Sequence, residues 1–197
     1  MAGIKNEIMS TVFVGQSDIV VFDEVSDYKT ATFSTVTAAG ESVGQVSGDS
    51  SEYAGEDVET ENWVDEQGDI ITSTTKAGTV AIKFNMADMS ADKIATFLKG
   101  TKLEGLTSTL LSEVKNAVGF GVDLPVMTRP LGWFNDEANR CLFLPKAKIV
   151  SSLSYDSGRF TINATATAEY INNATLKTAM LFDAKPVYEK GEATPGT

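Results

Sequence analysis

Arg159-Phe-Thr-Ile-Asn-Ala-Thr-Ala-Thr-Ala-Glu-Tyr170 alternates between two kinds of side chain along its whole length. Phe160, Ile162, Ala164, Ala166, Ala168 and Tyr170 fall on one side of an extended chain, and mainly Thr161, Asn163, Thr165 and Thr167 on the other. Successive Cβ atoms of extended backbone point to opposite sides, so a period of two marks a strand with one buried and one wet face. The wet side here is almost uncharged. Upstream, Cys141-Leu-Phe-Leu-Pro-Lys-Ala-Lys-Ile-Val150 leads through Tyr155-Asp-Ser-Gly158 into this run, and Asp-Ser-Gly is turn chemistry. The two runs together predict a β-hairpin.

The same pattern recurs earlier in the chain. Val80, Ile82, Phe84 and Met86 alternate with Thr79, Ala81, Lys83 and Asn85, which predicts a second strand buried on one face. Ser90 as N-cap, an apolar stripe of Ile94, Phe97 and Leu98, and Gly100 as stop predict a short helix from about Ala91 to Lys99. Thr11-Val-Phe-Val-Gly15 and Asp18-Ile-Val-Val-Phe22 read as an opening hairpin, and the β-branched run Thr30 to Thr37 as more strand. Gly68 to Thr75 and about Ala179 to Tyr188 are further strand candidates, while residues 101–125 fit either a second helix or irregular chain. Leu124-Pro-Val-Met-Thr-Arg-Pro-Leu131 is extended at best, since proline cannot donate to a central ladder. The fold class is mainly β, a β-sandwich or split barrel with one or two short helices. One domain over residues 1–197 is expected, with an acidic loop or extended hairpin at about 38–62 and flexible ends at 1–9 and 189–197.

Charge is unevenly distributed. The formal net charge is -11, and between Thr30 and Thr75 ten acidic residues stand without a single Lys or Arg. Asp49, Glu52, Glu56, Asp57, Glu59 and Glu61 form the centre of this electronegative stretch. Nucleic-acid readers gain affinity by neutralising phosphates with cations, so an ordinary DNA- or RNA-binding role is disfavoured. Histidine is absent, which removes the commonest general base and metal ligand, and the lone Cys141 can form no intrachain disulfide. Paired carboxylates at Glu56 and Glu59 could in principle serve hydrolysis, but they lie where few core residues exist to raise one pKa above the other. Asp65-Glu-Gln-Gly-Asp69 does not fit the spacing of a calcium loop. Asn163-Ala-Thr165 and Asn173-Ala-Thr175 are formal glycosylation sequons. The expectation is no catalytic residue, no metal and no cofactor. No apolar run approaches the length of a membrane span, and Met1 to Met9 lacks the pattern of a secretory signal, so maturation in the cytoplasm is expected.

The order of these features resembles the major tail tube proteins of tailed phages. The matching pieces are Val12 to Gly15 with Ile19 to Phe22, the polar excursion after Val36, Lys76 to Phe84 running into the helix at Ser90 to Gly100, and Leu144 to Val150 with Arg159 to Tyr170. The resemblance implies hexameric rings whose sheets join into one inner barrel, stacked through loops and terminal arms into a virion tail tube assembled in the host cytoplasm. It implies as partners further copies of the chain, a tape-measure protein, and tail terminator or adaptor proteins, with DNA passing through the tube without specific binding. On that analogy Gly44, Val46, Tyr53, Val58 and Trp63 are candidates for contact between subunits or rings. The alternatives are a secreted or surface β-sandwich binding module, disfavoured by the absent signal, and another virion part such as a head-tail connector or capsid decoration protein.

Overall fold

The computed structural model describes residues 17–44, 46, 51–67, 69–87, 89–106, 114, 117–121, 125–135, 139–156 and 158–184. Among them the chain is β-rich, with twelve strands and two short helices. The frame is a hairpin of β10 (Arg140–Asp156) and β11 (Arg159–Ala168), paired antiparallel from Ala147↔Ala168 to Asp156↔Arg159. Around it stand β1 (Ser17–Phe22), β2 (Gly40–Ser42), β3 (Glu52–Tyr53), β6 (Ala81–Met86) and β9 (Val126–Asn135), in the order β2-β1-β9-β10-β11-β6-β3. β12 (Met180–Asp183) joins the first residues of β10. Two small ribbons lie outside this sheet: β4 (Glu59–Val64) with β5 (Ile70–Lys76), and β7 (Thr101–Leu103) with β8 (Ala117–Gly119).

The alternating strands bury the side they should. Ile162, Ala164 and Ala166 of β11 and Ile82, Phe84 and Met86 of β6 form one core with Ile19, Val21, Leu131, Leu144 and Ile149. Phe160 and Tyr170, at the two ends of the alternating run, are exposed, because the sheet beneath them has ended. A second core lies on the opposite face of β1, β9 and the start of β10, where Val20, Phe134, Cys141 and Phe143 meet Val36 and Leu176. Phe33 stacks edge-on against both Phe143 and Phe182, at 5.4 Å between centroids in each case.

The sheet is strongly curled. Val43 N–H donates to Ile19 O (2.8 Å) at the β1 margin, and Val46, three residues on, bridges Met86 at the β6 margin. In a flat sheet those places would lie six strand spacings apart, about 29 Å. Three residues reach at most about 11 Å. The two margins therefore approach each other, with Gly40 to Gly44, Val46 and Glu52–Tyr53 along the seam. Among the described residues β2 pairs only with β1, and β3 only with β6, so the sheet is not closed into a barrel. Gly44 turns the seam with φ +83°, where a side chain would be strained. From below, the nearly buried Lys93 holds it by an ion pair to Glu41 (3.1 Å) and a hydrogen bond to Ser42 O.

Several elements differ from their expected form. Thr30 to Thr37 is not a strand: Thr32 caps the one-turn helix α1 (Phe33–Val36), its hydroxyl accepting from Thr35 N, and stacking of Phe33 outweighs β-branched propensity. The helix expected from Ala91 is α2 (Ala91–Phe97), capped by Ser90, which plugs the main core with Phe97 and Leu98. The 124–131 segment enters a central strand despite Pro130. That proline sits where the β1 ladder stops at Leu131 and opposite the register shift of β10 between Leu144 and Ala147, so no ladder bond is lost. Against the loop or extended hairpin expected over about 38–62, an antiparallel hairpin stands at Glu59–Lys76, and Gly40–Ser42, Val46 and Glu52–Tyr53 before it pair with the sheet. The first strand of the opening hairpin, the central part of the ambiguous 101–125 segment and both chain ends lie outside the described residues.

Candidate assembly surfaces

Three features leave the packed body unfinished. The first is an arm. At its base Tyr53 OH donates to Thr79 O (3.1 Å) and Thr79 N–H to Glu56 O (2.9 Å). The crossing there is so close that a Cβ on Gly55 would meet Thr79 O at 2.3 Å, and one on Gly78 would meet Glu56 O at 2.4 Å. Glycine is required by space. Beyond the base, β4 and β5 pair, among the described residues, only with each other, and every residue of Ile70–Lys76 is exposed. Glu59 and Glu61 share one face with Trp63, while Thr60 and Asn62 lie on the other. Towards the far end Trp63 (63% exposed), Ile70 (61%) and Ile71 (69%) stand in solvent. A lone two-stranded ribbon is at best marginally stable in water.

The second feature is the tip of the central hairpin. β6 ends opposite Ile162 and β9 begins opposite Val150, so the ribbon from Ser152 to Thr161 continues beyond both neighbours. Leu153, Tyr155 and Phe160 are exposed on it, the two rings 4.9 Å apart. The third is the margin of β9. β1 covers it only from Leu131 to Asn135, so Val126 to Arg129 have β10 on one side and, among the described residues, no strand on the other. A groove lined by Glu24, Thr96, Lys99 and Arg129 runs there.

The sheet face opposite the main core is wet, with hydroxyl and amide side chains and the exposed lysines Lys83 and Lys148. The register aligns Asn85 with Asn163 and Ser152, and Lys83 with Thr165 and Val150. Lys83 is paired with Glu52 on β3 (3.3 Å).

The sequence-derived contact residues separate into two groups. Gly44 and Val46 lie in the seam, Val46 half-buried against the main core, whereas Tyr53, Val58 and Trp63 are exposed. Of the acidic residues, Glu56 and Glu59 lie near Lys76 (4.0 and 3.8 Å), Glu61 is on the arm, Asp57 is exposed beside its base, and Asp49 lies outside the described residues. Such exposed pairs contribute little stability.

Other candidate chemistry is spent on structure. Asp65 Oδ1 accepts N–H bonds from Gln67 (2.8 Å) and Asp69 (2.9 Å), an aspartate-headed turn. Asp27 likewise accepts from Lys29 N–H and the Thr30 hydroxyl, and these bonds hold its carboxyl below its ordinary pKa. Cys141 is fully buried, and desolvation pushes its thiol far above the usual range, which suppresses thiolate chemistry. Asn173 was legible only as a sequon. Its amide donates to the carbonyls of Tyr28 (2.9 Å), Lys29 (3.1 Å) and Ala31 (2.8 Å), and its oxygen accepts from Thr175 N–H and Leu176 N–H. It clamps the 28–31 segment over the second core, and a glycan there would break the clamp.

Comparison with known proteins finds likeness in solved structures alone. No family model and no curated protein matches this chain. Among solved structures it is similar to the sheath/tube terminator of an extracellular contractile injection system in its extended state, at 12% identity and a TM-score of 0.37, over 89% of this chain and 99% of that one. A likeness of that size describes the neighbour and decides nothing about the role of this chain.

Proposed function

We propose that the chain is a structural subunit, without catalysis or cofactor, that assembles with copies of itself into stacked, six-membered rings of a phage tail tube or related injection tube. The observation that carries this reading is the contrast between a complete core and an incomplete surface. The body buries two apolar clusters, yet the arm and the hairpin tip hold Trp63, Ile70, Ile71, Tyr155 and Phe160 in solvent beside unpaired strand margins. Natural sheets normally cover or charge such margins, because they invite pairing with another chain. An assembly is the cover that this one calls for.

The wet face of β6, β11 and β10, mostly hydroxyl and amide side chains with Lys83 paired to Glu52 and with Lys148, supplies the wall of the conduit. Hydroxyl and amide side chains hold water without gripping phosphate, so a genome would slide past. The acids of the arm then belong to contacts between subunits. Terminator and tape-measure proteins are the expected partners, and the virion tail the expected location. Negative-stain microscopy and sedimentation of concentrated protein test the reading. Rings or hollow rods are expected; a monodisperse monomer at every concentration overturns it.

A further inference from the structure

We infer that the acidic arm of one copy docks along the open margin of β9 on a second copy, as an added strand. This rests on the self-assembly proposed above and specifies one contact within it.

The receiving margin has the groups an added strand needs. Ser151 N–H donates to Pro125 O (3.2 Å), so Pro125, and with it Met127 and Arg129 by the period of two, turn their backbone groups towards β10. Val126 and Thr128 therefore turn their N–H and C=O groups outward, towards the groove that Thr96 of α2 and Lys99 just beyond that helix also line. Met127 and Arg129 share one face of the strand. Lys148, the register partner of Thr128, is exposed alongside. Glu24 is the one carboxylate of the lining, set against the cations Lys99 and Arg129.

The donor matches in spacing and in charge. The outer margin of β4 has no partner strand among the described residues, and Glu59, Glu61 and Trp63 recur on one face with the same period of two. Laid beside β9, this row presents carboxylates to a guanidinium and an indole to a thioether. Main-chain bonds would supply affinity and the side-chain row the register. The arm holds seven acids between Glu56 and Asp69 and no cation there, so pairing with Lys99 and Arg129 would also relieve its self-repulsion.

Placement points to a ring. The arm leaves the sheet at the Ala81 end of β6, whereas the groove borders β9, three strands away in the order β9-β10-β11-β6. Donor and receiver are different patches of one molecule. Such a heterologous contact repeats from copy to copy and closes into a ring when its rotation allows.

A charge swap tests this. In the full chain, the reversals Glu59→Lys with Glu61→Lys, and separately Lys99→Glu with Arg129→Glu, are each expected to raise the concentration needed for assembly by about tenfold or more. All four together should restore it to within about threefold of the parent. Circular dichroism checks folding. For any variant that does not fold, Glu61→Cys chains mixed with Arg129→Cys chains decide, since the two side chains share one face and a disulfide between copies is expected only if β4 lies beside β9. Particles that form normally in each two-residue reversal, or that form without the cross-link, overturn this contact and leave self-assembly standing. A parent chain that never assembles overturns both.

Discussion

The two best-defined ribbons of this molecule, β10–β11 and β4–β5, are built from similar material and meet opposite fates. Both are antiparallel and rich in threonine. In β11 the residues between the threonines are Ile162, Ala164 and Ala166, a continuous apolar row that closes over Phe84 and Ile149. In the arm one face carries Glu59, Glu61 and Thr74 and the other Thr60, Asn62 and Thr75, and apolar side chains appear only near the far end. An alternation that includes an apolar row binds a ribbon to a core. One that lacks it leaves the ribbon free for another molecule.

The comparison can be broken most severely at the buried row. Ile162→Asp places an unpaired charge among Phe84, Met86 and Ile149, and should cost about 4 kcal/mol or more, enough to unfold the body. Urea titration followed by circular dichroism measures it, and full tolerance would mean that the faces of β11 are inverted. A smaller effect is expected at the clamp that seals the second core. Asn173→Ala strands three carbonyls and removes the acceptor of two backbone N–H groups. Water reaches some of these groups, so the expected loss is about 2 kcal/mol in the same titration, with proteolysis appearing first near residues 28–31. Smallest should be removal of the arm itself. Replacing Glu59 to Lys76 by a short Gly-Ser linker across the Gly55–Gly78 crossing is expected to change the body's stability by less than about 0.5 kcal/mol. The same change should abolish rings and rods. Loss of folding would show that the arm belongs to the core after all.

Local signals marked some elements well and missed others for identifiable reasons. Ser90, Phe97 and Leu98 announced α2 because a cap and an apolar stripe act within one turn. Thr32 is a cap of the same kind, but its β-branched neighbours mask it, and the stacking of Phe33 on Phe143 and Phe182 joins residues more than a hundred positions apart. Pro130 argued against a central strand, and its tolerance depends on a bulge in β10 that no local pattern records. The candidate contact residues were gathered from one acidic stretch. The fold divides them, drawing Gly44 and Val46 into the seam and leaving Val58 and Trp63 outside. The margin of β9 carries no motif, since an open edge is defined by the strand that fails to cover it.

By itself the sequence determined the β-rich class, the buried and wet faces of β6 and β11, and the gathering of acid between Thr30 and Thr75, because periodicity and composition are local properties. Only the tertiary structure decided that β1 lies beside β9, that Val43 and Val46 bring the two sheet margins together, and that Glu59 and Glu61 are carried out on an arm. Strand order and curl are settled by contacts between distant parts of the chain, and the side chains specify those contacts only when the whole core packs at once.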